Sequence, residues 1–88
     1  MKIDFESDSA LLKALGHPVR LQIVAGLLNR ECHVNKIVDK LGIPQSTASQ
    51  HIAVLNNQGI LQVRKEGVKT CYRVVDERVA ALLKVLAR

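Results

Sequence analysis

Residues 41–63 carry no Asp, Glu, Lys or Arg, and Arg64 and Lys65 follow at once. Inside that uncharged stretch Ala48, Ile52 and Leu55 recur at i, i+4 and i+7, the spacing of one helical face. Pro44 suits the first helical position, where a missing N–H costs nothing, and Gly59 is a C-terminal stop. The spacing therefore predicts a helix over about 44–57. Beyond Gly59 the period changes from helical to alternating. Residues 60–65 (ILQVRK) and 69–75 (KTCYRVV) read as strands, and Glu66-Gly67 between them reads as a hairpin turn, with Gly supplying positive φ. Before the uncharged stretch, residues 35–41 (NKIVDKL) predict a short helix. Asn35 is its candidate cap, Ile37, Val38 and Leu41 turn inward, and Gly42 ends it. Two helices joined by a tight Gly-containing turn and followed by a basic hairpin describe a winged helix-turn-helix.

The remaining segments complete that pattern. Residues 8–15 (DSALLKAL) place Leu11, Leu12 and Leu15 on one face, with Ser7 as cap and Gly16 as stop. Pro18 opens a second helix with apolar residues at 21, 24, 27 and 28. Residues 31–34 (ECHV) have room for one brief strand at most. Asp76 caps a last helix, ERVAALLKVLAR, with Val79, Leu82, Leu83 and Leu86 on one face. The expected fold is mainly α with a small β-hairpin wing: about five helices and two or three short strands, in a single domain over residues 1–88. A chain of 88 residues allows one domain and buries roughly 60–70% of its unfolded surface. With aromatics at 2%, the core must be aliphatic, and the composition argues against base stacking on an aromatic sheet surface.

Other classes fall away on composition. Two Cys are too few for a disulfide-stapled miniprotein. The first ten residues, MKIDFESDSA, have no apolar signal core, and no apolar run approaches the ~20 residues of a membrane span. A cytoplasmic protein without membrane contact is expected. No Ser-His-Asp, paired-carboxylate or Gly-rich phosphate arrangement is present, so neither an enzyme nor a cofactor is expected.

Charge distribution narrows the partner. The net charge is +5, which in a small domain favours nucleic acid. The start is acidic (Asp4, Glu6 and Asp8 against Lys2), whereas the hairpin carries Arg64, Lys65, Lys69 and Arg73 against Glu66. Any solvated hairpin favours Lys and Arg; its place beside a neutral polar helix is what gives the cluster weight. That helix sets Gln45, Ser46, Ser49 and Gln50 opposite its core face, with Thr47 and His51 on the flanks. Gln bonds adenine bidentately, and Ser or Thr serves either base type. Arg64, Lys65 and Lys69 lie near the hairpin tip, placed to reach phosphates, which position a protein without specifying sequence. Arg73 lies further back and is a candidate partner for a carboxylate within the fold. Double-stranded DNA is thus the expected partner. The aliphatic stripes of the first and last helices exceed what a small core covers, so they are expected to form a homodimer interface.

The residues LLKALGHPVRLQIVAGLL and KIVDKLGIPQSTASQHIAVLNNQGILQVRKEGVKTCYRV resemble the ArsR/SmtB family of winged-helix repressors over about residues 10–75. The combination of GHPVRL, QSTASQHIAVL and R-K-E-G-x-x-x-x-Y-R is specific. The resemblance implies a homodimeric repressor that leaves promoter DNA when an inducer arrives. It also implies DNA contacts at Gln45, Ser46, Thr47, Ser49, Gln50 and His51 and from the wing. Two departures count. Metal-sensing members carry E-L-C-V-C-D-L where this chain has Glu31-Cys32-His33-Val34-Asn35-Lys36-Ile37, with His33 and Asn35 at the two Cys positions. Others bind zinc through a D-x-H motif on the last helix; here Asp76 is followed by Arg78. Neither set is complete, so no metal is carried over.

Cys32 and Cys71 are the remaining sensor candidates. In such a fold the segment near 32–34 lies beside the second wing strand, which would make the two neighbours. They are then either two buried, inert thiols, the commoner arrangement, or a redox pair that repositions the wing. Cys32-His33 with Cys71 would give zinc three ligands and no fourth. The inducer is not identified. Two further readings compete with the DNA-binding repressor: a winged-helix module that binds protein, and a thiol-redox protein lacking a C-x-x-C.

Overall fold

The computed structural model describes residues 1–30 and 32–88. The element order is α1 (Phe5–Leu15), α2 (Pro18–Asn29), α3 (Val34–Leu41), α4 (Gln45–Asn57), β1 (Leu61–Glu66), β2 (Lys69–Val74) and α5 (Glu77–Leu86). This is the expected winged helix-turn-helix, with five helices and a two-stranded antiparallel sheet.

The helix starts show why local chemistry sets the boundaries. α1 begins three residues earlier than expected because Asp4, and not Ser7, is its cap. Asp4 Oδ1 accepts the Ser7 N–H at 3.1 Å, and Asp8 Oδ2 accepts the Asp4 N–H in return. Pro18 opens α2 as expected, and the His17 imidazole Nδ1 caps it by accepting the Val19 N–H. α3 starts at Val34, so Asn35 lies inside its first turn and caps nothing; the preceding His33 makes no side-chain cap bond. Pro44 is the cap of α4 rather than its first residue. α5 is capped by Asp76 as expected and ends at Leu86, leaving Arg88 beyond it.

The core is aliphatic throughout, and no polar side chain is buried among the described residues. Ile23, Val24, Leu27, Leu55, Ile60 and Val79 are fully enclosed, and Ala48 and Ile52 join them from the predicted face of α4. Leu12 and Leu28, which helical spacing groups with the inner residues, are exposed, because each inner stripe is narrower than the apolar run. Gly26 lets α2 and α3 approach closely: a Cβ there would lie 2.6 Å from Ile37 Cδ1.

The hairpin pairs Leu61 with Val74 through to Glu66 with Lys69, so the turn is Gly67-Val68 and not Glu66-Gly67. Positive φ is present at Gly67 (62°) and absent at Val68, as a type II′ turn requires. The brief third strand expected over 31–34 is not formed by the described residues of that segment; Glu31 lies outside them. Cys32 stands in a turn at φ 70°, and its N–H donates to the Tyr72 carbonyl at 3.1 Å, one strand-like bond to the sheet.

Candidate nucleic-acid interface

Exposure around α4 separates its polar residues. Ala48, Ile52 and Leu55 are buried, which turns Ser46, Gln50 and Asn57 directly outward. Gln45 and Ser49 are exposed on one flank, beside a groove of about 190 Å³ that runs between α4, α3 and the wing. Asn35, Asn56, Val63 and Tyr72 also line that groove. Asn35 and Asn56 were missed at the sequence level. Asn56 follows Ser49 by seven residues, so helical spacing alone places both on one flank.

The other flank differs from expectation. Thr47 and His51 are half-buried there, and the His51 ring stands 4.5 Å from the ring of His17. Burial lowers the His51 pKa from its ordinary value, and repulsion from His17 and Arg20 lowers it further. His51 therefore packs at the α2–α4 junction while staying half-exposed, because α2 begins against that flank.

Strand alternation gives the wing two unlike faces. Val63 and Lys65 share a face with Thr70 and Tyr72, and Val63 and Tyr72 turn it toward α4. Gln62, Arg64 and Glu66 share the opposite face with Lys69, Cys71 and Arg73. Arg64 lies directly across from Cys71, and its guanidinium meets Glu66 Oε1 at 3.4 Å in an exposed ion pair. Lys65 and Lys69 have no ion pair among the described residues, and the pairing expected of Arg73 is also absent there.

Cys32 and Cys71 form a disulfide, with Cα atoms 4.1 Å apart. Cys32 is exposed and Cys71 half-buried, so the pair is not the inert core packing that was the commoner expectation. A small cavity beside it is lined by Gln62, Arg64, Glu66 and Arg73. The bond joins the α2–α3 connector, which precedes the helix-turn-helix, to the middle of the wing strand β2.

A family model described as "Bacterial regulatory protein, arsR family" matches residues 17–63, from the α2 cap into β1. The chain belongs to the arsR family. It is a DNA-binding transcriptional regulator of that family's winged-helix kind. An uncharacterised HTH-type transcriptional regulator of Methanocaldococcus jannaschii is 40% identical over 83 residues, covering 93% of each chain. The biofilm growth-associated repressor of Xylella fastidiosa is 38% identical over 76 residues, covering 86% of this chain and 67% of that one. Among solved structures, HlyU from Vibrio cholerae superposes with a TM-score of 0.86 at 34% identity, covering 98% of this chain and 94% of that chain.

Within the arsR family frame, the position of the zinc-binding D-x-H motif holds a different device. Arg78 donates to Asp8 Oδ1 at 2.9 Å and reaches Asp76 Oδ2 at 3.3 Å, joining α5 to α1. Partial burial works to raise the Asp76 pKa, but the Arg78 hydrogen bonds and charge outweigh it and hold the carboxyl below its ordinary value. The same bonds to Asp76 and Asp8 raise the Arg78 pKa. Among the described residues, no three His, Cys, Asp or Glu side chains gather as a metal site, and no single helix is long and apolar enough to cross a membrane.

Proposed function

We propose that residues 1–88 act as one winged-helix unit that represses transcription as a homodimer on a roughly palindromic operator. The observation that carries this reading is the pairing of a neutral, donor- and acceptor-rich helix face (Ser46, Gln50, with Gln45 and Ser49 beside them) with a cationic wing. The face reads bases and the wing holds phosphates. The repressor sense is supported by the name of the Xylella fastidiosa relative. Dimerisation through α1 and α5 is supported by their uncovered apolar residues: Phe5 and Leu12 on α1, Val85 and Leu86 on α5. A two-fold dimer sets its recognition helices ~34–36 Å apart, one turn of DNA. The protein is a regulator without catalytic function, acting in the cytoplasm.

The test is fluorescence anisotropy with duplex from the protein's own promoter against a scrambled duplex. Promoter preference is expected. With six to ten phosphate contacts per dimer, affinity falls by roughly 10³–10⁵ between 50 and 200 mM salt. Equal, salt-insensitive binding to both duplexes would rule the reading out.

A second layer is favoured by the Cys32–Cys71 bond. We propose that the inducer is an oxidant of the peroxide class. With hydrogen peroxide as the oxidant, the two thiols give up two protons and two electrons, the O–O bond breaks to give two waters, and a sulfur–sulfur bond forms. The link then fixes the wing to the α2–α3 connector and changes its reach toward phosphates.

A further inference from the structure

We propose that His17, Arg20 and His51 form a second phosphate site, a clamp for the DNA backbone on the side of the recognition helix away from the wing. The proposal rests on the DNA-binding reading above. A helix lying in the major groove has a sugar-phosphate wall on each side. One flank of α4, carrying Gln45, Ser49 and Asn56, opens on the groove beside the wing. The other flank, carrying Thr47 and His51, meets the start of α2, so the wing cannot serve the wall on that side.

The groups gathered there are donors without acceptors. His17 Nδ1 accepts the Val19 N–H at 3.1 Å, which leaves Nε2 as the ring's donor nitrogen. Arg20 Nε is buried and has no hydrogen-bond partner, and no carboxylate pairs with the Arg20 guanidinium among the described residues. The half-buried Arg20 guanidinium thus keeps its charge uncompensated within the protein, and an anion from outside can pair with it. The charges that act on His51 are His17 and Arg20, both from α2 and both cationic or able to become so. The first turn of α2 adds the positive end of its dipole. An arrangement of three nitrogen-bearing side chains with no counter-ion, on the flank of the helix that enters the groove, fits a tetrahedral oxyanion of single or double charge.

Two sources of that anion are possible, a backbone phosphate and free phosphate, and two measurements separate them. In the first, wild type and Arg20→Gln are titrated with promoter and scrambled duplex across a salt series. Arg20→Gln is expected to weaken both duplexes by the same factor and to lower the slope of log K against log salt by about 1 for each phosphate no longer neutralised. An unchanged slope in a folded variant overturns the proposal. In the second, wild-type His17 and His51 imidazole resonances are followed through pH alone, with duplex, and with inorganic phosphate. A titration midpoint of His51 raised by duplex and not by inorganic phosphate supports the backbone clamp. An equal rise with inorganic phosphate assigns the site to a free anion and overturns the clamp; no movement with duplex, while anisotropy shows binding, overturns it also. Should Arg20→Gln fail to fold, the wild-type resonances decide alone. Absence of any duplex binding by wild type is the separate failure of the DNA-binding reading itself.

Discussion

Cys32 and Cys71, 39 residues apart in sequence, stand with their Cα atoms 4.1 Å apart and tie the α2–α3 connector to the wing. Arg64 lies directly across from Cys71 on the paired strand, so the linkage and a proposed phosphate contact share one face of the sheet. Oxidised protein is expected to bind promoter duplex roughly 5–150-fold more weakly than reduced protein, the usual span of coupling between two sites. Cys71→Ser is expected to bind equally under both conditions, at the reduced level. Anisotropy with and without reductant reads this directly, and a redox response that survives in Cys71→Ser would remove the pair from any sensing role.

The exposure pattern of α4 ranks the residues proposed to read bases. Gln50 points straight outward, whereas Ser49 lies on the flank beside the wing groove. Gln50→Ala is expected to reduce discrimination between promoter and scrambled duplex by about 1–3 kcal/mol, the range of one good base contact. Ser49→Ala is expected to cost less. A Gln50→Ala protein with undiminished promoter preference would place the reading elsewhere, with Asn57 the next outward residue to replace.

Wing cations are not equivalent either. Arg64 already holds Glu66, while Lys65 is unpaired and shares the face turned to α4. Both pairing partners of that bridge are well exposed, so its own stabilisation is small. Lys65→Ala is therefore expected to weaken promoter and scrambled duplex alike, more than Arg64→Ala does, with a smaller salt slope. A salt series on the two variants measures it. Weakening confined to the promoter duplex would mean that Lys65 reads bases.

The fold was legible because its signals are local and periodic: apolar spacing at 48, 52 and 55, the prolines at 18 and 44, and the change of period after Gly59. Errors fell where a side chain competed with that pattern. Asp4 displaced Ser7 as the α1 cap because it accepts the Ser7 N–H and is itself bonded by Asp8. The hairpin turn moved by one residue because Gly67 is the first central residue of a type II′ turn and not the second residue of a Glu66-Gly67 turn. At the interface, residues of α4 itself were readable from one helical wheel. What lies against that helix was not. The meeting of His51 with His17, and of Arg78 with Asp8 across 70 residues, depends on tertiary packing that no single segment records.

Asp76 offers a test of the α1–α5 join that needs no DNA. Its carboxylate caps α5 by accepting the Arg78 N–H at 2.9 Å and meets the Arg78 guanidinium, with only 16% of the side chain exposed. Its pKa in the folded protein lies below the ordinary value of 3.8. The unfolded chain therefore binds the proton first as pH falls. The stabilisation is fully present above the unfolded value and is lost as pH drops through the folded one. Asp4 is lowered in the same sense, by the hydrogen bond from the Ser7 backbone, and adds to acid sensitivity over the same range. Asp76→Ala is expected to cost about 0.5–2 kcal/mol at neutral pH, the loss of a helix cap. For a domain of this size that lowers the Tm by roughly 4–8 °C per kcal/mol. The difference between wild type and variant is expected to shrink toward zero as the melting pH is brought below the folded value. A difference that stays constant from neutral to strongly acidic pH would show that the Asp76 side chain acts through packing alone and not through its charge.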